Sequence, residues 1–390
     1  MYEDLKESFY QAFQRKAERV FSAPGRTELS GNHTDHQLGH VLAAAVDRDI
    51  TAAVAMREDG IVRVVSEGFA PCEVDISDLS IREEEKGTTA ALIRGVLFRC
   101  QESGVSLNGF DAYLVSNVLP GGGLSSSAAF EVLIGTIVNA LGEGGLSPLR
   151  IAQIGQYAEN VYFGKPCGLM DQAASSIGGI ITIDFQDREN PQVERVDFDF
   201  SSCGHALCIV DSGASHEGLT NAYASIPEEL HRVCDFFGKE ALREVDEDAF
   251  YREIDNVRKK SGDRAVLRAI HIFEENKRVL RQIDALRRKD FTAFLTLATA
   301  SGRSSYMYLQ NAILEGASDQ QAFAFTYALT EHLLQGRGAV RVQGGGFAGA
   351  IQAFVPLDML EEFRLRVEEA LGKGRLTVLR IRNEGGIECR

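Results

Sequence analysis

A chain of 390 residues has room for two or three domains at about 150 residues each, and length enough to bury a substantial core. An apolar content of 44% with 25% charged residues excludes the low-hydrophobicity regime of intrinsic disorder. Lys and Arg number 41 against 56 Asp and Glu, a formal charge of −15; that sign repels phosphate backbones and anionic lipid, so neither nucleic acid nor a membrane is an expected partner. An anionic substrate would need a local device: a few cationic side chains, backbone N–H groups or a metal.

Cysteines at positions 72, 100, 167, 203, 208, 234 and 389 form no Cys-x-x-Cys pair. An odd, scattered set fits free thiols in a reducing compartment, not a disulfide framework. The opening segment MYEDLKESFYQAFQRKAERVF carries charges throughout, unlike a signal peptide, and no run elsewhere approaches the roughly 18 apolar residues of a membrane span. The expectation is a soluble, cytoplasmic protein.

In chain order, Leu5, Phe9, Phe13 and Ala17 recur at spacings of four and predict an amphipathic helix over the first twenty residues. After Ala23-Pro24-Gly25 the β-branched runs Val41 to Val46, Ile50 to Ala55 and Ile61 to Ser66 predict short strands. A helix from Thr88 to Glu102 leads to a strand at Phe110 to Val118, then to a glycine-serine loop. A helix follows from Ser126 to Leu141, with Phe130, Leu133, Ile134, Ile137 and Leu141 on one face. Further helices are expected at Pro148 to Tyr162 and Met170 to Ser176, and a strand at Gly179 to Phe185. The acidic stretch Gln186 to Phe200 loses apolar density and marks a domain junction or a surface hairpin. Taking it as a junction divides the chain into residues 1–195 and 196–390. Beyond it come a strand at His205 to Asp211, a mostly helical region over 227–335, and strands at Ala339 to Val342 and Ala350 to Val355. A helix near Leu357 to Leu371 and a strand at Leu376 to Ile381 close the chain.

Three polar constellations interrupt these elements. In Pro120-Gly-Gly-Gly-Leu-Ser-Ser-Ser-Ala-Ala129, glycines let the backbone pass close to a ligand, and the following helix start offers unpaired N–H groups and a positive dipole end, a geometry that cradles phosphate. A flexible turn with a serine N-cap is the plainer reading. No Gly-Lys-Ser/Thr follows, so the loop is not a Walker A motif, and without Gly-x-Ser-x-Gly it is not a nucleophile elbow. Gly344 to Gly349 satisfies Gly-x-Gly-x-x-Gly by letter, but a strand follows instead of the helix a dinucleotide site needs. A glycine-rich hairpin near a ligand, or a tight turn, fits better. Gly25-Arg26-Thr-Glu-Leu-Ser-Gly-Asn-His-Thr-Asp-His36 is too polar to bury unpaired and suggests the lip of a site. His33, Asp35 and His36 lack the spacing of a known zinc set.

In this order and spacing the motifs resemble the galactokinase branch of the GHMP small-molecule kinases over nearly the whole chain. The opening motif is similar to the sugar signature, Gly121 to Ala129 to the ATP loop, Gly164-Lys-Pro-Cys-Gly-Leu-Met-Asp-Gln172 to the catalytic segment, and Gly344 to Gly349 to the third motif. The resemblance implies a two-domain α/β (α+β) GHMP kinase fold with the active site in the cleft between domains, and an ATP-dependent sugar 1-kinase using Mg²⁺. It implies Asp171 as the catalytic carboxylate, with Arg26 against it keeping it ionised and stabilising charge on the transferring phosphoryl group. Gly121, Gly122, Gly123, Leu124, Ser125, Ser126 and Ser127 would hold ATP, with Ser66 nearby. Ser127 and Glu159 would ligate Mg²⁺, whose hardness suits oxygen donors. Asn32, His33, Thr34, Asp35 and Tyr223 would contact the sugar. The expected partners are a sugar and ATP; a monomer is expected, with a dimer left open.

Three departures bear on the substrate. Glu28 stands where galactokinases carry Asn, Asn32 where they carry Glu, and His36 where they carry Tyr. The first two exchange amide and carboxylate, so charge is relocated, and an amide at 32 can donate as well as accept. Galactose is the first expectation; galacturonate, N-acetylgalactosamine or arabinose, or a non-catalytic sensor of the same fold, are the readings set against it.

Overall fold

In the computed structural model, residues 2–118, 123–215 and 217–389 are described. The strands are β1 (Arg19–Ser30), β2 (His40–Arg57), β3 (Ile61–Ser66), β4 (Cys72–Asp75), β5 (Gly109–Ser116), β6 (Ile180–Asp184), β7 (Gln192–Arg195), β8 (His205–Asp211), β9 (Ala339–Val342), β10 (Ala350–Pro356), β11 (Leu376–Leu379) and β12 (Ile387–Cys389). One sheet runs β12-β1-β2-β5-β3-β4, with β6 pairing on β2 and β7 on β6; the other runs β11-β8-β10-β9. The β3–β5 pair is parallel, its crossover supplied by the helix Thr89–Glu102. The expected mixed α/β fold is therefore present, with two sheets and many helices. Among the described residues no helix is long and apolar enough to cross a membrane, and all seven cysteines are free.

The centre of the first sheet is buried on both faces, which accounts for the unbroken apolar run Val41–Val46 in β2. The helices Thr89–Glu102 and Ser126–Leu141 cover one side through Ile93, Val96, Val132, Leu133 and Ile137. The same apolar cluster continues into the second sheet through Leu207, Ile209, Phe354 and Leu379. Residues of both sheets thus share one apolar cluster.

The structure departs from expectation in places with clear physical causes. Ala23-Pro24-Gly25 lies inside β1, where the register shifts between Pro24 and Arg26. The bulge tolerates a proline without an N–H, and a Cβ on Gly25 would stand 2.8 Å from the Leu124 carbonyl. Two expected strands, 41–46 and 50–55, are one 18-residue strand. Its polar middle is satisfied in place: Asp47 accepts from the Arg380 amide at 2.9 Å, and Asp49 from Ser22 Oγ at 2.6 Å and Arg382 at 2.9 Å. The first helix stops at Phe13, with Gln14 in the left-handed region, and Ala17 packs beyond it against the same small cluster. The helix begun at Pro148 ends at Tyr157 and passes into a π-turn over Ala158–Phe163. Within 186–200, β7 folds back on β6 as a hairpin. The short β12, which the pattern did not indicate, returns to pair with β1.

A buried ion pair ties β1 to β9. Arg341 Nη2 donates to Glu28 Oε1 at 2.5 Å with both side chains almost wholly buried, and Nη1 donates to the Glu28 carbonyl. Removing one partner strands a charge. Arg341→Met should cost about 3–5 kcal/mol in urea unfolding, and the double variant Arg341→Met/Glu28→Gln should recover most of it; a double variant as unstable as the single would assign the loss to packing instead of charge.

Candidate active site

The bulge in β1 aims Arg26 across the cleft at Asp171, which opens the helix Met170–Ile177. Arg26 Nε donates to Asp171 Oδ1 and Nη2 to Oδ2, each at 2.6 Å, while Nη1 donates to the Gly123 carbonyl. This two-point fit fixes direction as well as distance. Burial by itself would raise the Asp171 pKa; the Arg26 charge and hydrogen bonds, with help from Ser125, override it and hold the carboxyl below its ordinary value. With 28% of its side chain exposed, Asp171 still faces the cleft.

The glycine-serine loop lies beside this pair. Gly121 and Gly122 fall outside the described residues. Gly123 has φ +68° and Ser125 φ +55°, and the helix starting at Ser126 has no side-chain N-cap, which leaves first-turn N–H groups for an anion. Leu124 is 1% exposed and belongs to the core; its contribution is its carbonyl, which accepts from the Arg26 amide at 3.0 Å. Ser66 sits at the end of β3 opposite Leu114, at the edge from which β5 leads into the loop.

Ser127 Oγ donates to Glu159 Oε1 at 3.2 Å, and Lys165 Nζ reaches the same oxygen at 3.2 Å. Glu159 Oε2 accepts from Gln172 Nε2 at 2.9 Å, and that amide also donates to Glu131 Oε2 at 3.0 Å. Burial, and then the charge of Glu159, push the Glu131 carboxyl well above its ordinary value. Among the described residues no group of three or more His, Cys, Asp or Glu could hold a metal by itself. A cation at Ser127 and Glu159 would therefore complete its shell with substrate oxygens and water, as Mg²⁺ commonly does.

Arg26, Asn32, His33, Asp35, His36, Gly168, Asp171, Gly344 and Gly345 are among the residues lining a cavity of about 290 Å³. A larger cavity of about 780 Å³ beside β9 contains none of the candidates, and its Arg303 and Arg337 are already paired to Glu331 and Asp358. Within the smaller cavity Asp35 lies so close to Gly168 that any Cβ there would collide with its carboxylate. His33, at φ +63°, has Nε2 3.1 Å from the Gly345 carbonyl and Nδ1 3.0 Å from His36 Nε2. A carbonyl only accepts, so a neutral His33 donates from Nε2 and accepts at Nδ1 from His36. His36 Nδ1 is left as a buried acceptor without a partner among the described residues, and burial holds this imidazole down to about 4.

Besides His33, three of the expected sugar contacts are committed to the protein. Asn32 is 1% exposed: Nδ2 donates to the Gly344 carbonyl at 2.6 Å and to Glu28 at 3.3 Å, while Oδ1 accepts from Asn311 at 2.8 Å and Ser305 at 3.2 Å. Thr34 Oγ1 sits between the carbonyls of Gly31 at 2.9 Å and His40 at 2.6 Å, closing a turn. Tyr223 lies behind the third glycine motif, its hydroxyl donating to the Gly346 carbonyl at 2.9 Å and its ring edge-on to Phe347. Burial pushes that phenol up to about 12.

Other side chains hold the site without a sequence signal strong enough to single them out. Glu275 is fully buried and accepts from the Gly31 amide at 3.2 Å, Ser301 Oγ at 2.6 Å and Arg278. His271 bridges Ser304 Oγ at 2.9 Å and the Asn32 carbonyl at 3.0 Å. Glu131 was the most legible: it stands four residues after Ser127, on the same helical face.

Known proteins resemble this chain over most of its length. A family model described as the galactokinase galactose-binding signature matches residues 7–56, and one for the GHMP kinase N-terminal domain matches residues 91–179. A galactokinase of Streptomyces coelicolor is 31% identical over 96% of this chain and 94% of its own length. One from Actinobacillus pleuropneumoniae is 32% identical over 92% and 90%. The crystal structure of Lactococcus lactis galactokinase complexed with galactose superposes with a TM-score of 0.83 at 26% identity, covering 99% of both chains. Mevalonate kinase from Methanococcus jannaschii, at 14% identity and a TM-score of 0.67 over 94% of this chain and 99% of its own, shares the fold.

Burial opposes ionisation of Glu275, but Arg278 and its other donors bring its pKa to about 2. A depressed carboxyl stabilises the fold above the ordinary carboxylate range and loses that contribution as pH falls towards the folded value. Glu275→Gln should therefore cost about 3 kcal/mol at pH 7, and the gap to the parent, read by urea unfolding, should narrow as pH drops from about 5 to about 3. A gap independent of pH would show that the charge is not what anchors Gly31.

Proposed function

The chain belongs to the galactokinase family, and from that premise we propose that it transfers the γ-phosphoryl group of ATP to the anomeric hydroxyl of D-galactose. The observation that carries this is the two-point Arg26–Asp171 contact at 2.6 Å beside the glycine-serine loop.

In this reading the sugar occupies the 290 Å³ cavity with its anomeric hydroxyl at Asp171. Each carboxylate oxygen gives one lone pair to Arg26 and Ser125 takes a third, so one lone pair is left for the hydroxyl. Because Arg26 lowers the basicity of Asp171, the carboxylate first orients the hydroxyl and accepts its proton late, as the bond to phosphorus forms. That timing suits a loose phosphoryl-transfer transition state, which asks for positioning and charge stabilisation more than for a strong base. Arg26 faces both the carboxylate and the loop, so it also offers positive charge to the transferring group. Gly121 to Ser127 would hold the phosphates by backbone N–H groups, with Ser66 near the nucleotide. Ser127 and Glu159 would hold Mg²⁺, and the fit rests on their hard oxygens; when bound, the ion neutralises phosphate charge. These local devices bring ATP to a protein whose net charge of −15 would otherwise repel it.

Charge pairing in the cavity favours a neutral sugar over a uronate. Arg26 is balanced by Asp171 and Glu28 by Arg341, and Asp35 has no ion-pair partner among the described residues. The Asn32 amide, the group that might have met a substrate carboxylate, is already saturated. Of the expected contacts, Asp35 would meet sugar hydroxyls directly; His33, whose two ring nitrogens are engaged by Gly345 and His36, would join Asn32, Thr34 and Tyr223 in shaping the cavity.

With Mg-ATP and a panel of sugars, ADP release should depend on galactose, with kcat/KM for galacturonate lower by at least about tenfold; no sugar-dependent release from any member would overturn the function. Asp171→Asn should lower kcat by about 10²–10⁴-fold with ATP binding retained, and undiminished turnover would remove the role given to Asp171. For the parent, the acid limb of kcat/KM should lie below the ordinary carboxylate range, because activity needs an ionised group of depressed pKa. Arg26→Met leaves only Ser125 and Lys165 to oppose burial, so the limb of its residual activity should move to higher pH; an unmoved limb would show that another group titrates.

A further inference from the structure

We infer that Gln343 is a positioning residue for the nucleotide loop, setting that loop through the carbonyl of Gly123. The inference rests on the kinase reading above and extends it to a side chain outside both the glycine motifs and the catalytic pair. Gln343 is the first residue after β9 and is 3% exposed. Its Nε2 donates to the Gly123 carbonyl at 2.9 Å, and its Oε1 accepts from Thr27 Oγ1 at 3.0 Å. The amide cannot be turned round: Gly123 offers an oxygen that only accepts, and Thr27 Oγ1 is itself the acceptor for Gln352 Nε2 at 2.6 Å, so its hydrogen is free to point at Oε1.

Two donors therefore meet on one carbonyl, Arg26 Nη1 from β1 and Gln343 Nε2 from the second sheet. Both lone pairs of that oxygen are used, and the peptide carrying it can neither rotate nor shift without losing one of them. Gly123, at φ +68°, lies so tightly against Gln343 that an added Cβ would stand 3.0 Å from Cγ. The next two residues of the same turn grip the sugar side: the Gly344 carbonyl accepts from Asn32, and the Gly345 carbonyl from His33 and Asn311. Three consecutive residues thus reach from the phosphate-holding loop to the sugar-holding turn. Gln343 alone of them acts on the nucleotide side, so its loss should separate the two substrates.

Gln343→Met keeps the length and removes the amide. It should raise KM for ATP, and Kd for a non-hydrolysable ATP analogue measured by calorimetry, about five- to thirty-fold, the size expected for one buried hydrogen bond. KM for galactose should move less than about threefold on the same scale. Thr27→Val is the control: it loosens the same network but spares the Gly123 bond, so it should lower Tm and leave both constants within about twofold. If Gln343→Met does not fold, Gln343→Asn, whose amide is one methylene too short to reach Gly123, replaces it. ATP constants unchanged in the Gln343 variant, or both variants moving ATP and sugar constants together, overturn the inference while the kinase reading stands. A parent protein that binds no nucleotide overturns that reading and this inference with it.

Discussion

The Arg26–Asp171 contact is the constraint on which the site depends. It joins residues 145 apart in sequence, and each end is fixed by a separate piece of architecture: a bulge in β1 for the guanidinium, the first turn of a helix for the carboxylate. A buried carboxylate without a cation would take up a proton, and a buried guanidinium without an anion would cost several kcal/mol, on the order of a broken buried pair. Each makes the other tolerable. The third arm of Arg26 extends the arrangement to Gly123, so the proposed chemistry and the proposed phosphate cradle share one side chain.

Around this pair most buried polar side chains find partners, with His36 Nδ1, Asn311 Oδ1 and Arg341 Nε among the exceptions in the described residues. Asn32 is held by four partners, Glu275 by the Gly31 amide and its neighbours, and Glu28 by Arg341. The exchange of Glu and Asn between positions 28 and 32, relative to galactokinases generally, makes sense in these terms. The carboxylate at 28 faces the guanidinium of β9, and the amide at 32 can donate to one carbonyl while accepting from two neighbours, which a carboxylate could not do. The swap therefore gives both buried side chains partners, and it leaves Asp35 as the cavity acid without an ion-pair partner among the described residues.

Much of the fold was legible in the residues alone. The helix Ser126–Leu141 was read to the residue, because a 3.6-residue apolar period sits between a glycine-serine turn and a glycine. The strands 205–211 and 339–342 were equally plain, being short β-branched runs with clear ends. What misled was punctuation: Pro24-Gly25 marks a bulge and not a break, and Asp47-Arg48-Asp49 continues β2, because partners far away in sequence, Arg380 and Arg382, satisfy the polar groups. A three-residue strand such as β12 carries too little pattern to be seen.

For the site, the motifs named the chemistry and the tertiary structure assigned the side chains. Local sequence determined that a glycine-rich turn would precede a helix and that a polar segment would need partners, since these depend on backbone conformation and residue type; the pairing of Arg26 with Asp171 came from the family resemblance alone. Whether a polar residue faces the cavity or the interior was decided only on folding. Asn32 and Tyr223 turn inward because Ser305, Asn311 and the turn after β9 outcompete solvent for them, and Thr34 because the Gly31 and His40 carbonyls close a local turn on it. Glu275, His271 and Gln343 matter through partners more than two hundred residues away, Gly31, Asn32 and Gly123 respectively, which no pattern of neighbours could have announced.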